Sequence, residues 1–361
     1  MDLVSALLLA VGALLVALGL FDALRTAIAV GGGGPLTNRL AHGLWHATLR
    51  WHRRGRQQSE GTGGGHHRLL ARVGPTVLLG IVLTWVVLLI AGYFLMFSAD
   101  PSSVVRASGA QPPADFFERL YFAGFSVSTL GTGDFIPDGD AARMLTVFAS
   151  LSGFFMMTLT VTYAMPVISA VVAKRHLASS IAGLGLTPAE ILHGGWDGES
   201  LASLEQPLVN LASQIERHTQ RHLAYPVLHI FHVAQPHAAA EPRIAALSEA
   251  LRLMRHLPEE AQPPPAAMRS ARSAIDGFLR LARSSFVPPQ QQFDAPDRPV
   301  AGPLRTAGLP VPPEEGAVEN GEQKGEGISQ QKRRRRLLRA LVEDDGWTWA
   351  DVVHEDSPPL P

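Results

Sequence analysis

Residues 128–137, Ser128-Thr129-Leu130-Gly131-Thr132-Gly133-Asp134-Phe135-Ile136-Pro137, combine residue types and spacing suited to holding a dehydrated cation. A cation stripped of water needs rings of oxygen, and a row of backbone carbonyls aimed inward supplies them. Successive L-residues in one regular conformation cannot aim consecutive carbonyls the same way. Glycines at alternate positions permit the positive φ angles that can, which is a role for Gly131 and Gly133. The Thr129 hydroxyl adds an innermost ring, so Thr129, Leu130, Gly131, Thr132 and Gly133 are the expected ion-binding residues. A second set is imidazole-based: His218 and His222 at i, i+4, and His229 and His232 at i, i+3, share helix faces and offer nitrogen to a metal. No HExxH signature accompanies them, since Glu216 lies outside the pair. Ordinary surface or core histidines explain them better, so no firm metal site and no resident cofactor are expected.

The elements that position these residues begin with apolar runs. Leu3–Phe21, Pro75–Phe97 and Met144–Ala173 are each long and apolar enough to cross a bilayer, which takes about 20 residues. A cleaved signal peptide fits the first run poorly, because Met1-Asp2 replaces a basic start and no small-residue cleavage site leads into a soluble domain. Between Asp22 and Pro75 stand eight arginines and two acids; between Ser98 and Ala142 stand two arginines and six acids. The excess of arginine places the first loop inside and the second outside. The N-terminus is then external, the region after Lys174-Arg175 is cytoplasmic, and the chain is expected as a multi-pass protein of the cell membrane. There are no cysteines among the 361 residues, which excludes disulfides, Cys-ligated zinc, iron–sulfur clusters and thiol catalysis.

Between the second and third runs, Pro112-Pro113 ends an extended stretch and 115–128 reads as a helix, acidic at Asp115 and Glu118. Fourteen residues span roughly 21 Å, enough to enter the membrane halfway. Such a helix aims its partially negative C-terminal end at the pathway and favours a cation there. The stretch resembles the pore helix and selectivity filter of tetrameric potassium channels with two transmembrane helices per pore, whose pattern is Thr-Val-Gly-Tyr-Gly-Asp with a proline three residues later. Thr129, Gly131, Gly133, Asp134 and Pro137 match; Leu130 replaces the valine and Thr132 the aromatic. The resemblance covers Pro75–Ala173 and implies a potassium-selective pore. It also implies that Asp134 needs a support, for which Tyr121 is a donor because Phe125 occupies the site of the carboxyl group some members use; Ser128 joins that support. Gly153, sixteen residues after Pro137, stands where the family's inner helix bends. Phe154, Met157, Val161 and Met165 then form a cavity-lining stripe, and Pro166 lies near the inner constriction; ordinary helix packing explains the stripe equally well. One chain supplies one filter segment where four are needed, so a homotetramer is expected.

The expected fold is an all-α membrane protein: three transmembrane helices, a re-entrant pore helix and filter loop, an α-helical cytoplasmic domain and a largely disordered tail. Its divisions are an N-terminal helix (1–30), a basic loop (31–74), a pore domain (75–173), a helical domain (174–286) and a Pro/Gly-rich linker with basic tail (287–361). In the pore domain the outer helix is 75–97, the pore helix 115–128, the filter 129–134 and the inner helix 142–173. In the basic loop, Leu36, Leu40, Leu44, Trp45 and Leu49 suit an amphipathic helix, either on anionic lipid or packed on the soluble domain, and 53–65 reads as a flexible link. Helices are expected at 199–221, 225–235, 241–257 and 266–284, and Thr187-Pro188-Ala189-Glu190 has capping-box spacing. Val287–Gly327 reads as disordered. The helix Ile328–Asp345, with Lys332 to Arg336, is expected to bind anionic lipid or an acidic partner, or simply to be solvated. No nucleic-acid partner is implied. The expected function is cation conduction, with potassium selectivity resting on the resemblance. The alternatives are a weakly selective channel, a potassium-transporter subunit and a membrane-anchored His-rich metal-binding protein. No acid/base or nucleophile constellation is assembled, so no enzyme is expected.

Overall fold

A computed structural model of the chain describes residues 2–28, 32–58, 63–108, 113–285, 309–310 and 325–353, with side chains left out at 52–66, 285 and 325–330. The helices are α1 (Leu3–Ile28), α2 (Pro35–Gln58), α3 (Gly63–Ser98), α4 (Phe116–Val127), α5 (Gly139–Ala182), α6 (Pro188–Gly195), α7 (Glu205–Ala224), α8 (Ala240–Met254), α9 (Pro265–Ser285), α10 (Gly325–Asp344) and α11 (Ala350–Val353). Two short strands, β1 (Val104–Arg106) and β2 (Phe135–Pro137), pair antiparallel. Helices α1, α3 and α5 contain the three segments long and apolar enough to cross a membrane.

The chain divides into two compact units, Met1–Leu44 with Pro75–Ile168, and Trp45–Gly74 with Ser169–Pro361. In the first unit α1 lies against α3 through glycines. A Cβ on Gly12 would stand 2.5 Å from the Gly92 carbonyl oxygen, and one on Gly92 would stand 2.7 Å from that of Gly12. Small residues are what let two membrane helices approach this closely. At the other end of α1, buried Asp22 fastens three elements. Its carboxylate accepts from the backbone N–H of Leu36 (2.8 Å), the Thr37 hydroxyl (2.7 Å) and the Trp85 indole N–H (2.9 Å). It thereby caps the free N–H groups at the start of α2 from outside that helix.

The second unit is a helical cluster built around α8. All residues of α8 except Arg252 are buried, as expected of a helix packed on every side, and α6, α9, α10 and α11 surround it. Each of its buried charged side chains meets at least one partner within the unit. Glu241 meets Lys174 at 2.8 Å, Glu249 meets Arg335 at 2.9 Å, and Arg243 donates to the carbonyls of Leu186 and, at 2.7 Å, Asp351.

Several expectations shift. The link expected at 53–65 is largely helical, with α2 reaching Gln58 and α3 starting at Gly63; residues 59–62 lie outside the described ones. The second span does not begin at Pro75, which lies inside α3. Proline removes one helical hydrogen bond there, while Leu69, Leu70, Ala71 and Arg72 before it are good helix formers. The buried face of α2 is Thr37, Ala41, Trp45 and Leu49, rather than the Leu36, Leu40 and Leu44 side. Residues 225–235 form a short 3-10 turn (Pro226–Ile230) in place of a helix. The basic tail helix is neither wholly solvated nor a free charge run. Leu338, Leu341 and Val342 are buried, and Arg334 meets Asp276 at 3.0 Å. Most of the stretch expected to be disordered, 287–327, lies outside the described residues.

Candidate cation-conducting site

Helix α4 is set by its ends. Asp115 caps it, accepting from the Glu118 N–H at 2.8 Å, while the Glu118 carboxylate accepts from the Asp115 N–H at 2.9 Å. This reciprocal box satisfies two backbone donors that the first turn leaves free, and Glu118 also pairs with Arg106 of β1. At the far end the Ser128 N–H donates to Gly124, its hydroxyl donates to Phe125 at 3.2 Å, and the Leu130 N–H donates to the Phe125 carbonyl at 3.0 Å. The chain therefore leaves α4 with a fixed direction, straight into the glycine-bearing loop.

In that loop φ is positive at every second residue: Thr129 at 58°, Gly131 at 59° and Gly133 at 79°. Alternation between left- and right-handed backbone is what turns successive carbonyls toward one side. The two glycines adopt it without steric cost. Thr129 does not; left-handed backbone costs an ordinary L-residue about 1–2 kcal/mol, and β-branching makes it rarer still. Strain of this kind persists where the surroundings enforce it, and here the bonded turn at the end of α4 does so. Residues 128–134 are exposed within the single chain.

The outer end of the loop is clamped by the two strands, with Arg106 opposite Phe135 and Val104 opposite Pro137. The Ala107 N–H donates to the Asp134 carbonyl at 2.9 Å, and the Asp138 N–H donates to that of Ser103 at 2.9 Å. Side-chain support runs through Thr132. The Tyr121 hydroxyl donates to Thr132 Oγ1 at 3.2 Å, and the Thr132 hydroxyl donates to Asp134 Oδ1 at 2.5 Å. Tyr121 thus reaches Asp134 through Thr132, and its own hydroxyl also helps to lower the Asp134 carboxyl. The Thr132 hydroxyl, more than any other group, holds the Asp134 carboxyl below its ordinary value.

Helix α5 runs unbroken through Gly153 and Pro166. A Cβ on Gly153 would lie 1.8 Å from the Val127 carbonyl oxygen, so this glycine is where the end of α4 rests on α5. Ser150 reinforces the crossing by donating to the Ser126 carbonyl at 3.1 Å, and Ser152 donates to the Tyr93 hydroxyl of α3 at 3.1 Å. Phe154, Met157, Val161 and Met165 are all exposed, 67%, 69%, 54% and 65%, along one side of α5. Within the single chain, then, the stripe does not pack.

The histidines gather in the second unit. His218 and His222 are buried with ring centroids 4.3 Å apart. Burial pushes His218 down to about 3 and His222 well below 6.5, so both are neutral at physiological pH. His229 and His232 do not act as a pair. His229 Nε2 meets Asp344 at 2.7 Å, whereas His232 faces His67 at 3.1 Å and Asp345 at 3.5 Å. Glu241, Asp344, Asp345 and His67 were not foreseen as neighbours. They come from separate segments, and no spacing in the sequence links them.

Residues 78–170 match the ion channel family. Over 302 residues, covering 83% of this chain and 84% of the relative, the sequence is 32% identical to the uncharacterized membrane protein YdjJ of Bacillus subtilis (strain 168). No solved structure matches the chain. The chain belongs to the membrane-protein family of YdjJ and carries an ion channel domain over residues 78–170, which takes in most of its second and third apolar helices and the segment joining them.

Proposed function

We propose that four copies of this chain surround a single pathway and conduct potassium ions across the cell membrane. The observation that carries the reading is the alternation of positive φ at Thr129, Gly131 and Gly133, directly after a helix whose C-terminal end leads into the loop. Four such loops stack rings of carbonyl oxygen that replace the ion's water shell. The exposed filter and the exposed Phe154–Met165 stripe support assembly, since non-helical backbone at membrane depth must be enclosed by protein. The distribution of arginine favours an external filter and a cytoplasmic second unit. Lys332, Arg333 and Arg336 are exposed on α10 and suit anionic lipid. The protein works by conduction, with the permeant ion as cargo and no catalysis.

A second reading, a weakly selective cation channel, is favoured by one observation. Thr132 commits its hydroxyl to Asp134 and has no ring with which to brace the filter's width. Ion flux into liposomes tests the pore itself: reconstituted protein is expected to pass potassium, and Gly131→Asp to abolish it. Flux that survives Gly131→Asp refutes the assignment of the filter.

A further inference from the structure

Deep in the second unit, three side chains from different elements converge. His222 of α7, His229 of the following 3-10 turn and Glu241 of α8 are all buried, and their ligand atoms lie within 4.8 Å of one another. Each imidazole has a contact that helps to fix its ring. His222 Nδ1 faces the His218 carbonyl at 3.4 Å, and His229 Nε2 meets Asp344 Oδ2 at 2.7 Å. A carbonyl or carboxylate oxygen of this kind commonly stands behind a metal-bound histidine. Glu241 shows one oxygen to Lys174 at 2.8 Å, and its Oε2 has no hydrogen-bond partner among the described residues.

Two further observations point to a ligand. His218 is 2% exposed, lies in ring contact with His222, and neither of its nitrogens has a hydrogen-bond partner among the described residues. Leaving a buried polar group without a partner is unfavourable, so such a group calls for one. The charges are also unequal: Glu241 and Asp345 bring two carboxylates to the one ammonium of Lys174, at 2.8 and 3.9 Å.

We propose that His222, His229 and Glu241 bind a divalent transition metal of the zinc class, with His218 packed against His222 beside it. Nitrogen-rich sets of this kind prefer zinc, cobalt or nickel to magnesium or calcium. Donors around tetrahedral zinc at about 2.1 Å stand roughly 3.4 Å apart, so three donors within 4.8 Å of one another close by at most about 1.4 Å. Because every donor is buried, the metal is acquired as the unit folds. Glu241 also holds Lys174, which stands on α5 nine residues after Met165, so the site is joined to the helix that carries the exposed stripe.

The test is independent of conduction. Full-length protein from zinc-supplemented cells is analysed for metal content, and the metal's ligand shell is read by X-ray absorption. About one zinc per chain with an imidazole-containing shell is expected. Folded His229→Gln or Glu241→Gln should fall at least tenfold in metal content, while His193→Gln, on the exposed side of α6, should keep it. Should those variants not fold, the wild-type shell decides. Less than a tenth of an equivalent in folded wild-type protein, or a shell without imidazole, overturns the proposal. Metal-loaded protein that passes no ion would refute the channel reading alone.

Discussion

Replacing Gly153 by alanine should loosen the junction between α4 and α5. On a free helix surface this change stabilises by about 1 kcal/mol. At Gly153 the new Cβ would sit 1.8 Å from the Val127 carbonyl oxygen and 2.7 Å from its carbon, against 3.4 Å for ordinary contact. The obstacle is backbone on both sides, so no rotamer change relieves it and the helices must part by about 1.6 Å. Overpacking of this kind costs roughly 1–3 kcal/mol, and the rigidity of both partners places the cost at the upper end. After the gain in helix propensity, a net loss of about 2 kcal/mol remains. Parting the helices also shifts the residues that enter the filter, so flux falls together with stability. Thermal unfolding in detergent and potassium flux in liposomes read the two effects. Gly43→Ala on α2, where a Cβ would meet nothing within 4 Å, is the control and should lose neither. A Gly153→Ala protein as stable and as conductive as wild type would refute the close crossing and the packing role given to this glycine.

Thr129→Gly should relieve left-handed strain, raising thermal stability by about 1–2 kcal/mol, while reducing conductance because the inner hydroxyl ring is lost; Thr129→Ala should reduce conductance without the stability gain. Thr132→Val removes the largest contact that depresses the Asp134 carboxyl. A depressed carboxyl stabilises above its ordinary value of 3.8 and loses that contribution as pH falls through its lower folded-state value. Single-channel conductance against external pH should therefore decline at a higher pH in Thr132→Val than in wild type, and superimposed profiles would count against the Thr132–Asp134 bond. Asp22→Ala orphans the Trp85 indole and the start of α2, and should destabilise by about 2–4 kcal/mol in thermal unfolding, with Asp22→Asn milder.

Features whose chemistry lies close together in sequence were legible. The apolar runs, the helix expected at 115–128 (observed as Phe116–Val127 between caps Asp115 and Ser128) and the glycine alternation all depend on neighbouring residues. So does the start of α6, where Thr187 caps Glu190 at 3.2 Å; the Glu190 carboxylate, however, turns to the Leu186 N–H, one residue earlier than a capping box requires. What escaped depends on distant partners. Glu241, Arg243 and Glu249 make α8 look amphipathic, and only Lys174 and the far tail reveal that these charges are buried. Asp22 reads as a loop acid until Trp85 and Thr37 fold around it. Strands of three residues are too short to show alternation, so β1 and β2 left no pattern to read. Thr132 looks like a missing aromatic, and its use as a bridge between Tyr121 and Asp134 is visible only in three dimensions.

The central claim is that carbonyl rings built from Thr129–Gly133 carry potassium. Single-channel recording of the purified protein in a planar bilayer, with potassium on one side and sodium on the other, tests it most directly. The account predicts discrete currents whose reversal potential lies toward the potassium equilibrium value. A reversal near zero would leave a pore that admits both cations and would contradict potassium selectivity; anion-selective currents, or none from correctly folded protein, would contradict the carbonyl pathway itself.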